Sequence, residues 1–280
     1  MCQKKCVIIS LVFALLITGY GCSSFTSDWQ IQDVSHIIQS GEEANTDTHD
    51  GFYFELLNYH EQCLYMKNGF TLSKWMYEND AYSCEQTIPV SQLFPQEYQN
   101  IDQTIEFIKN YEIFTVSCDG RFICIFDARD PSAFYLWDTE NETLYNVKPL
   151  SPIRKIQWAD DESLLYILTG ESKLYCLDPV SRNVTATSIK SIIPDVSEQN
   201  IHLLKDGVIY YDGLQVLFAN GESSDQVIVD NVIEFFGVYK NTLVIKRIDN
   251  KVEAGFIEDK WSSFFSERIN YCSLVNGQYL

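Results

Sequence analysis

Short apolar runs, separated by glycine, asparagine, aspartate and proline, dominate the chain after residue 51. Runs rich in valine, isoleucine, tyrosine and phenylalanine between such turn residues are typical of β-strands. Two stretches, 113–138 and 153–178, share one order: strand, acidic turn, strand, short loop, strand and closing aspartate. The closing residues are Asp138 and Asp178, so the unit repeats about every 40 residues, within the range of four-stranded β-sheet repeats.

The centre of each unit is continuously apolar, at residues 122–126 and 164–168. A strand without polar alternation is typically buried on both faces. Asp119 and Gly120 can reverse the chain before the first of these strands, because glycine tolerates positive φ and aspartate bonds to nearby backbone. The pattern therefore predicts antiparallel sheets that pack between neighbouring sheets.

Fainter versions of the unit extend this prediction to the rest of the body. We predict an all-β fold, a β-propeller of about five or six four-stranded blades over residues 51–280. A β-sandwich or a pair of small sheets is the alternative. A terminal strand within 273–280 could close the ring by pairing with the other end of the chain. Residues 88–104 are predicted as a polar excursion with a short helix at 92–98. The weaker strands are predicted at 52–57, 63–66, 70–77, 201–204, 208–211, 214–219, 226–229, 233–238, 242–248, 252–257 and 261–265.

Two short motifs carry a resemblance to a known family. The turn Ser117-Cys118-Asp119-Gly120 resembles the Ser-Pro-Asp-Gly turn of Trp-Asp (WD) repeat blades, and Trp137-Asp138 matches their closing dipeptide. The body is thus similar to β-propellers of the WD-repeat type, which implies that fold.

The N-terminus has the order of an export signal. Lys4 and Lys5 precede an apolar run at 7–17, and small residues follow it. The run is shorter than the roughly 20 residues that a transmembrane helix needs, although a single-pass anchor is the alternative. Gly21-Cys22 resembles the processing site of bacterial lipoproteins, which implies cleavage after Gly21 and a diacylglyceryl group on the Cys22 thiol. The resemblance implies three regions: a signal peptide (1–21), a flexible tether (22–50) and a body on the extracytoplasmic face of the cell membrane. Within the polar tether, one strand could form at 29–38.

Charge and cysteines narrow the possible partners. The formal net charge is −19, so the chain repels polyanions and nucleic acid is excluded as a partner. A solvated acidic surface explains the acids, and a cationic ligand or partner is the alternative. The cysteines beyond Cys22 form no CxxC pair and no zinc spacing, and we predict mostly free, buried thiols, with disulfides as the alternative. They are Cys63, Cys84, Cys118, Cys124, Cys176 and Cys272.

No catalytic constellation is present in the sequence. It holds no nucleophile elbow, phosphate-binding loop or dinucleotide fingerprint. The pairs Asp160-Asp161 and Asp127/Asp130 are interpreted as turn residues rather than acid/base partners, and His202 as a turn or half-buried residue. Tryptophans could line a carbohydrate or peptide groove, although most are expected to pack between blades; they are Trp75, Trp137, Trp158 and Trp261. We predict no catalytic residue, cofactor or metal.

These observations favour a non-catalytic lipoprotein whose propeller binds a protein or ligand at the cell surface. Two alternatives remain open. One is a scaffold subunit of an envelope assembly or transport complex, and the other is a surface hydrolase or lyase acting on glycans or peptides.

Overall fold

The computed structural model describes residues 29–40, 54–60, 63–68, 71–110, 112–160, 162–187, 189, 193–221, 225–239, 242–257, 262–268, 274–275 and 278–279. The predicted signal peptide and Cys22 lie outside these ranges. Within them, no helix is both long and apolar enough to cross a membrane.

Two five-stranded antiparallel sheets contain the N-terminal part of the body. Their strands are β1 (Gln30–Asp33), β2 (Gln39–Ser40), β3 (Phe54–His60), β4 (Cys63–Asn68), β5 (Thr71–Glu78), β6 (Ala81–Pro89), β7 (Glu112–Val116), β8 (Phe122–Asp127), β9 (Phe134–Asp138) and β10 (Thr143–Lys148). The first sheet has the order β2-β6-β5-β4-β3, and the second has the order β1-β10-β9-β8-β7. Two helices, α1 (Val90–Leu93) and α2 (Ile101–Asn110), connect the two sheets.

Three four-stranded sheets follow, each built from four consecutive antiparallel strands. The third sheet contains β11 (Ile153–Trp158), β12 (Leu165–Thr169), β13 (Leu174–Asp178) and β14 (Asn183–Thr187). The fourth contains β15 (Ile201–Leu204), β16 (Gly207–Tyr211), β17 (Val216–Asn220) and β18 (Gln226–Val229). The fifth contains β19 (Val232–Tyr239), β20 (Thr242–Arg247), β21 (Lys251–Phe256) and β22 (Ser262–Arg268), and a hairpin of β23 (Leu274–Val275) and β24 (Gln278–Tyr279) comes last. The predicted all-β class and the four-stranded units are confirmed.

The second strand of each middle sheet packs against both neighbouring sheets. All residues of β8, β12 and β16 are buried. In β12, Leu165 and Ile167 join a core cluster with the second sheet, whereas Tyr166 and Leu168 join one with the fourth. The same alternation divides β8 between the first and third sheets and β16 between the third and fifth. Because side chains alternate across a strand, each of these sheets lies between its neighbours in chain order.

The first strands of successive sheets lie side by side. β3 contacts β7, β7 contacts β11, and β11 contacts β15. One backbone hydrogen bond between neighbouring sheets recurs at the first residue of a sheet. Ile153 N donates to Pro131 O of the second sheet at 2.7 Å, and Val232 N donates to Leu214 O of the fourth at 2.8 Å. Neighbouring sheets are therefore joined at the same end of their strands.

The closing aspartates of the two repeat units form the same turn. The Oδ1 atoms of Asp138 and Asp178 accept the backbone N–H groups two and three residues later. Their Oδ2 atoms accept the side chains of Asn141 and Ser181, also three residues later. The next residue in each turn is left-handed, with φ of 53° at Glu142 and 58° at Arg182. The two units are thus equivalent in turn geometry as well as in strand order.

Asp138 has one partner that Asp178 lacks. Arg121 donates to both carboxylate oxygens of Asp138, from Nε at 3.0 Å and from Nη2 at 2.9 Å. Burial raises the pKa of Asp138, but the hydrogen bonds from Arg121 and Asn141 outweigh it and hold that pKa below its ordinary value. Trp137, the other half of the WD-like dipeptide, is completely buried.

The N-terminal segment contains a strand in the region 29–38, where the sequence allowed one. Within residues 29–40, β1 pairs with β10 and β2 pairs with β6. Trp29 is 8% exposed and packs edge-on against Tyr175 of the third sheet. These residues therefore pair with the sheets of the body, whereas the rest of 22–50 lies outside the described residues. In the described part of the chain, β1 pairs with β10, and the C-terminal strands β23 and β24 pair with each other.

Two smaller predictions also need correction. Instead of one helix at 92–98, the connection forms α1 and α2, and Asn100 caps α2 by accepting the Gln103 N–H at 2.9 Å. The described cysteines are free, as predicted, but only Cys124 is buried. Cys118 is exposed because it occupies the turn between β7 and β8. Cys272 lies outside the described residues.

We expect Asp138→Ala to destabilise the protein more than Asp178→Ala. The first change leaves the half-buried Arg121 without its main partner, whereas the second removes only the turn bonds. Losses of about 2–4 kcal/mol and about 1 kcal/mol, respectively, follow from such interactions. Denaturant unfolding of both variants measures the difference. Equal losses would mean that the Arg121–Asp138 pair contributes no net stability.

Candidate ligand-binding cleft

A cleft of about 430 Å³ lies between the third and fourth sheets. It is formed where β11 and β15 end and their following turns diverge. Clefts of this volume accommodate small ligands or single side chains of a partner. Its lining comprises Gln157, Ala159, Asp160, Glu162, Tyr166, His202, Leu203, Leu204, Lys205 and Asp206.

Gln157 joins the two sheets at the base of the cleft. Its Oε1 accepts the Leu203 N–H at 3.0 Å, and its Nε2 donates to Leu203 O at 3.2 Å. This paired bond resembles one rung of a β-ladder, made by a side chain instead of a strand. It holds β15, and with it the side chain of His202, in position beside β11.

His202 lies at the base of the cleft and is buried, with 9% of its surface exposed. Gln157 Nε2 lies 3.2 Å from its Nδ1 and 3.3 Å from its Nε2. An atom almost equally far from both ring nitrogens cannot lie in line with either one, so it contacts the ring side-on rather than through a linear hydrogen bond.

Burial, followed by the positive charge of Lys155, lowers the pKa of His202 to about 3. The imidazole is therefore neutral near pH 7 and offers one N–H donor and one acceptor nitrogen. A neutral ring adds no positive charge to the cleft. The acceptor nitrogen of the His202 ring can thus accept a hydrogen bond from an N–H group of a cation.

The rim of the cleft is predominantly acidic. Asp160, Glu162 and Asp206 surround the opening, and Lys205 is the one lysine or arginine among the lining residues. Glu162 and Asp206 are exposed, whereas Asp160 is half-buried. Carboxylates that line a concave surface concentrate the field and attract cations. The electrostatics thus favour a positively charged group.

Two cations on β11 have a structural role beside the cleft. Lys155 Nζ donates to Glu198 O at 2.7 Å and also to Ile201 O. Arg154 binds the carbonyl oxygens of Ile193 and Val196 at 3.0 and 3.2 Å. Burial lowers the pKa of Lys155 to about 8, although the charge of Glu198 opposes this shift. Both side chains satisfy carbonyl groups of the connection between β14 and β15.

The acids considered from the sequence occupy separate places. Asp160 lies on the rim, and Asp161 lies outside the described residues. Asp127 and Asp130 belong to the turn after β8, where they accept the N–H groups of residues 129 and 132. They are turn residues, as interpreted from the sequence. Among the described residues, no three His, Cys, Asp or Glu side chains form a group that could hold a metal ion.

The tryptophans do not line this cleft. Trp137 and Trp158 are buried between sheets, and the ring of Trp158 stacks on Phe122 at 6.3 Å. Trp75 is half-buried and donates its Nε1–H to Ser73 Oγ at 2.9 Å, while Trp261 lies outside the described residues.

The sequence analysis did not identify Gln157 as a site residue, and it placed His202 in a turn or a half-buried position, whereas His202 is a buried strand residue. Their polarity within apolar strands was the available signal.

No protein-family model and no curated protein sequence matches the chain. Among solved structures, it is similar to the RRP9 WD40 repeats, with 12% identity and a TM-score of 0.45, over 85% of this chain and 69% of that one. It is similar to the WD40 domain of SCAP from fission yeast, with 11% identity and a TM-score of 0.45, over 86% and 64%. A third structure is the dihydro-heme d1 dehydrogenase NirN in complex with DHE, with 10% identity and a TM-score of 0.44, over 73% and 44%. The chain spans less than two thirds of the SCAP and NirN chains.

We expect His202 to make folding stability depend on pH. In the unfolded chain the imidazole binds a proton below its ordinary pKa of 6.5, whereas in the folded chain it does so only near 3. Stability should therefore decrease as the pH falls from 6.5 toward 3, by about 1.4 kcal/mol for each unit of pKa difference. Denaturant unfolding of His202→Gln across this range should give a flatter profile than the unchanged protein. His36→Gln, at an exposed position, is the matched control, and equal flattening in both variants would contradict the assignment.

Proposed function

We propose that this protein is a lipid-anchored, extracytoplasmic binding protein whose body is a WD-like β-propeller. The propeller is supported by five sheets in chain order, each middle sheet packed between its two neighbours. It is supported further by the side-by-side first strands and the repeated backbone link between sheets. The anchor is Cys22, on the Gly21-Cys22 processing pattern, and the body lies on the outer side of the cell membrane.

The function is non-catalytic recognition of a cationic group in the cleft between the third and fourth sheets. One observation carries this proposal: an acidic rim above a neutral, buried His202. A primary ammonium or guanidinium group can pair with the rim carboxylates and donate to the acceptor nitrogen of the ring. The cleft fits a lysine or arginine side chain of a partner or a small organic cation.

The positions of the described titratable groups support binding rather than turnover. Asp127 and Asp130 bond to their own turns, and Lys155 is occupied by two carbonyl groups. Among the described residues, the neutral His202 ring contacts the Gln157 amide rather than a carboxylate that would orient it as a general base.

The lipid anchor predicts a covalent modification at one residue. Cells grown with radiolabelled palmitate should incorporate label into the unchanged chain but not into Cys22→Ala, because the thiol is the proposed attachment point. Cys118→Ala is the matched control, since it changes an exposed thiol of the body. Equal labelling of the Cys22 variant would contradict the anchor.

The acidic rim predicts charge-dependent binding. A fluorescein-labelled hexalysine peptide should bind the protein at low ionic strength, and added salt should weaken binding. Glu162→Gln and Asp206→Asn should each lower the affinity about two- to fivefold, the usual worth of an exposed ion pair. Fluorescence anisotropy measures the affinity.

Two controls separate the cleft from overall charge. Glu78→Gln removes an exposed acid from the first sheet, away from the cleft, and should leave the affinity unchanged. A hexaglutamate peptide should not bind. If Glu78→Gln weakened hexalysine binding as much as the rim variants did, net charge would account for the interaction and the cleft would not be the site.

A further inference from the structure

The connectivity of the sheets gives the body two different faces. The four consecutive strands of each sheet are antiparallel. The chain therefore enters and leaves the sheet at one end of the strands, and the turn between the second and third strands lies at that same end. The turns between the first and second strands, and between the third and fourth, lie at the other end. We call the end where chains pass between sheets, together with the second-to-third strand turns, the connection face. The other end is the opposite face, which carries the cleft. The links Ile153–Pro131 and Val232–Leu214 both lie on the connection face.

The N-terminal strand begins at the connection face. Gln30 pairs with Lys148, the last residue of β10, and the register then runs toward the opposite face, where Asp33 pairs with Tyr145. Six residues separate Cys22 from Trp29. A chain of that length reaches at most about 25 Å. A lipid on Cys22 would therefore hold the edge of the connection face near the membrane.

Charge distinguishes the two faces. On the connection face, one acid in each of three turns is paired with a base: Asp127 with Arg129 at 3.4 Å, Glu171 with Lys173 at 2.8 Å and Asp249 with Lys251 at 3.0 Å. Asp130 and Asp212 are further acids of this face, where they accept backbone N–H groups of their own turns. The turns of the opposite face carry an excess of acids over Arg121, Arg182 and Lys205. These acids include Asp119, Glu140, Asp160, Glu162, Asp206 and Asp225. An anionic bilayer repels the opposite face more strongly.

Aliphatic side chains are exposed on the connection face. Leu150, Leu214 and Ile248 are 60%, 53% and 56% exposed. Leu214 and Ile248 lie near one another, because Val232 N bonds to Leu214 O and Ile248 N bonds to Asn231 O. Val180, on the opposite face, is 61% exposed. Apolar exposure alone therefore does not distinguish the faces, whereas the position of the first strand and the charge do.

We propose that the connection face lies against the phospholipid bilayer, with Leu214 and Ile248 in contact with the lipid headgroup region, and that the cleft opens away from the membrane. This orientation rests on the proposed anchor at Cys22. It adds a membrane-contacting surface that the anchor alone does not require. Exposed aliphatic side chains near a bilayer gain stability by burial at its interface.

A fluorescence quenching experiment on the full-length chain tests the orientation. The mature lipoprotein is purified from cells, reconstituted in phosphatidylcholine–phosphatidylglycerol vesicles and labelled with bimane on Leu214→Cys or Val180→Cys. Both are closely matched turn positions, since each N–H donates at 2.9 Å to an aspartate two residues earlier. The background carries Cys118→Ser, because Cys118 is the exposed cysteine among the described residues. The signal of the unsubstituted background is subtracted.

Lipids with a nitroxide on the headgroup should quench the Leu214→Cys label severalfold more than the Val180→Cys label. Ile248→Cys and Tyr82→Cys form a second pair, on the connection and opposite faces. Palmitate incorporation is measured on the same preparations. If palmitate is present and quenching is equal or reversed in both pairs, the orientation is wrong while the anchor stands. If palmitate is absent, the anchor is wrong and the orientation fails with it.

Discussion

Burial of both faces of the central strands is the constraint on which the rest of the structure depends. Phe122 and Phe126 of β8 face the third sheet, whereas Ile123 and Ile125 of the same strand face the first. A sheet with two apolar faces is unstable with one face open to water, because each large apolar side chain loses about 1.5–3 kcal/mol when it is exposed. Each middle sheet therefore requires a neighbour on both sides. The middle sheets therefore stack in a row. Their turns are exposed to solvent, and their faces are buried.

The cleft follows from the same arrangement. Although the sheets pack by apolar faces, backbone groups at the beginning of the next sheet still need partners. Arg154, Lys155 and Gln157 supply them from one strand, β11, to the segment that leads into β15. The diverging turns beyond Gln157 leave space above His202. The candidate site thus exists because the third and fourth sheets separate where β11 and β15 end.

The repeated sheets could be predicted from the sequence because their signals are local. Continuous apolar runs located β8 and β12, and the aspartates at 138 and 178 located equivalent turns. The N-terminal pairing could not be predicted in this way. Most side chains of β1 are exposed, and the strand is specified by the free backbone edge of β10 rather than by an apolar pattern. The cleft was missed for a related reason, since Gln157 and His202 are 45 residues apart and meet only when two sheets pack.

The pairing of β1 with β10 also determines how the body would respond to a mechanical load. A force applied through the residues before Trp29, directed away from the connection face, acts along the axis of β1. The backbone hydrogen bonds with β10 lie across that axis, so they are loaded together in shear instead of being opened one at a time. The edge-on contact of Trp29 with Tyr175 resists the same displacement. Residues 29–33, which lie within the predicted tether, would therefore transmit tension into the second and third sheets instead of extending under it.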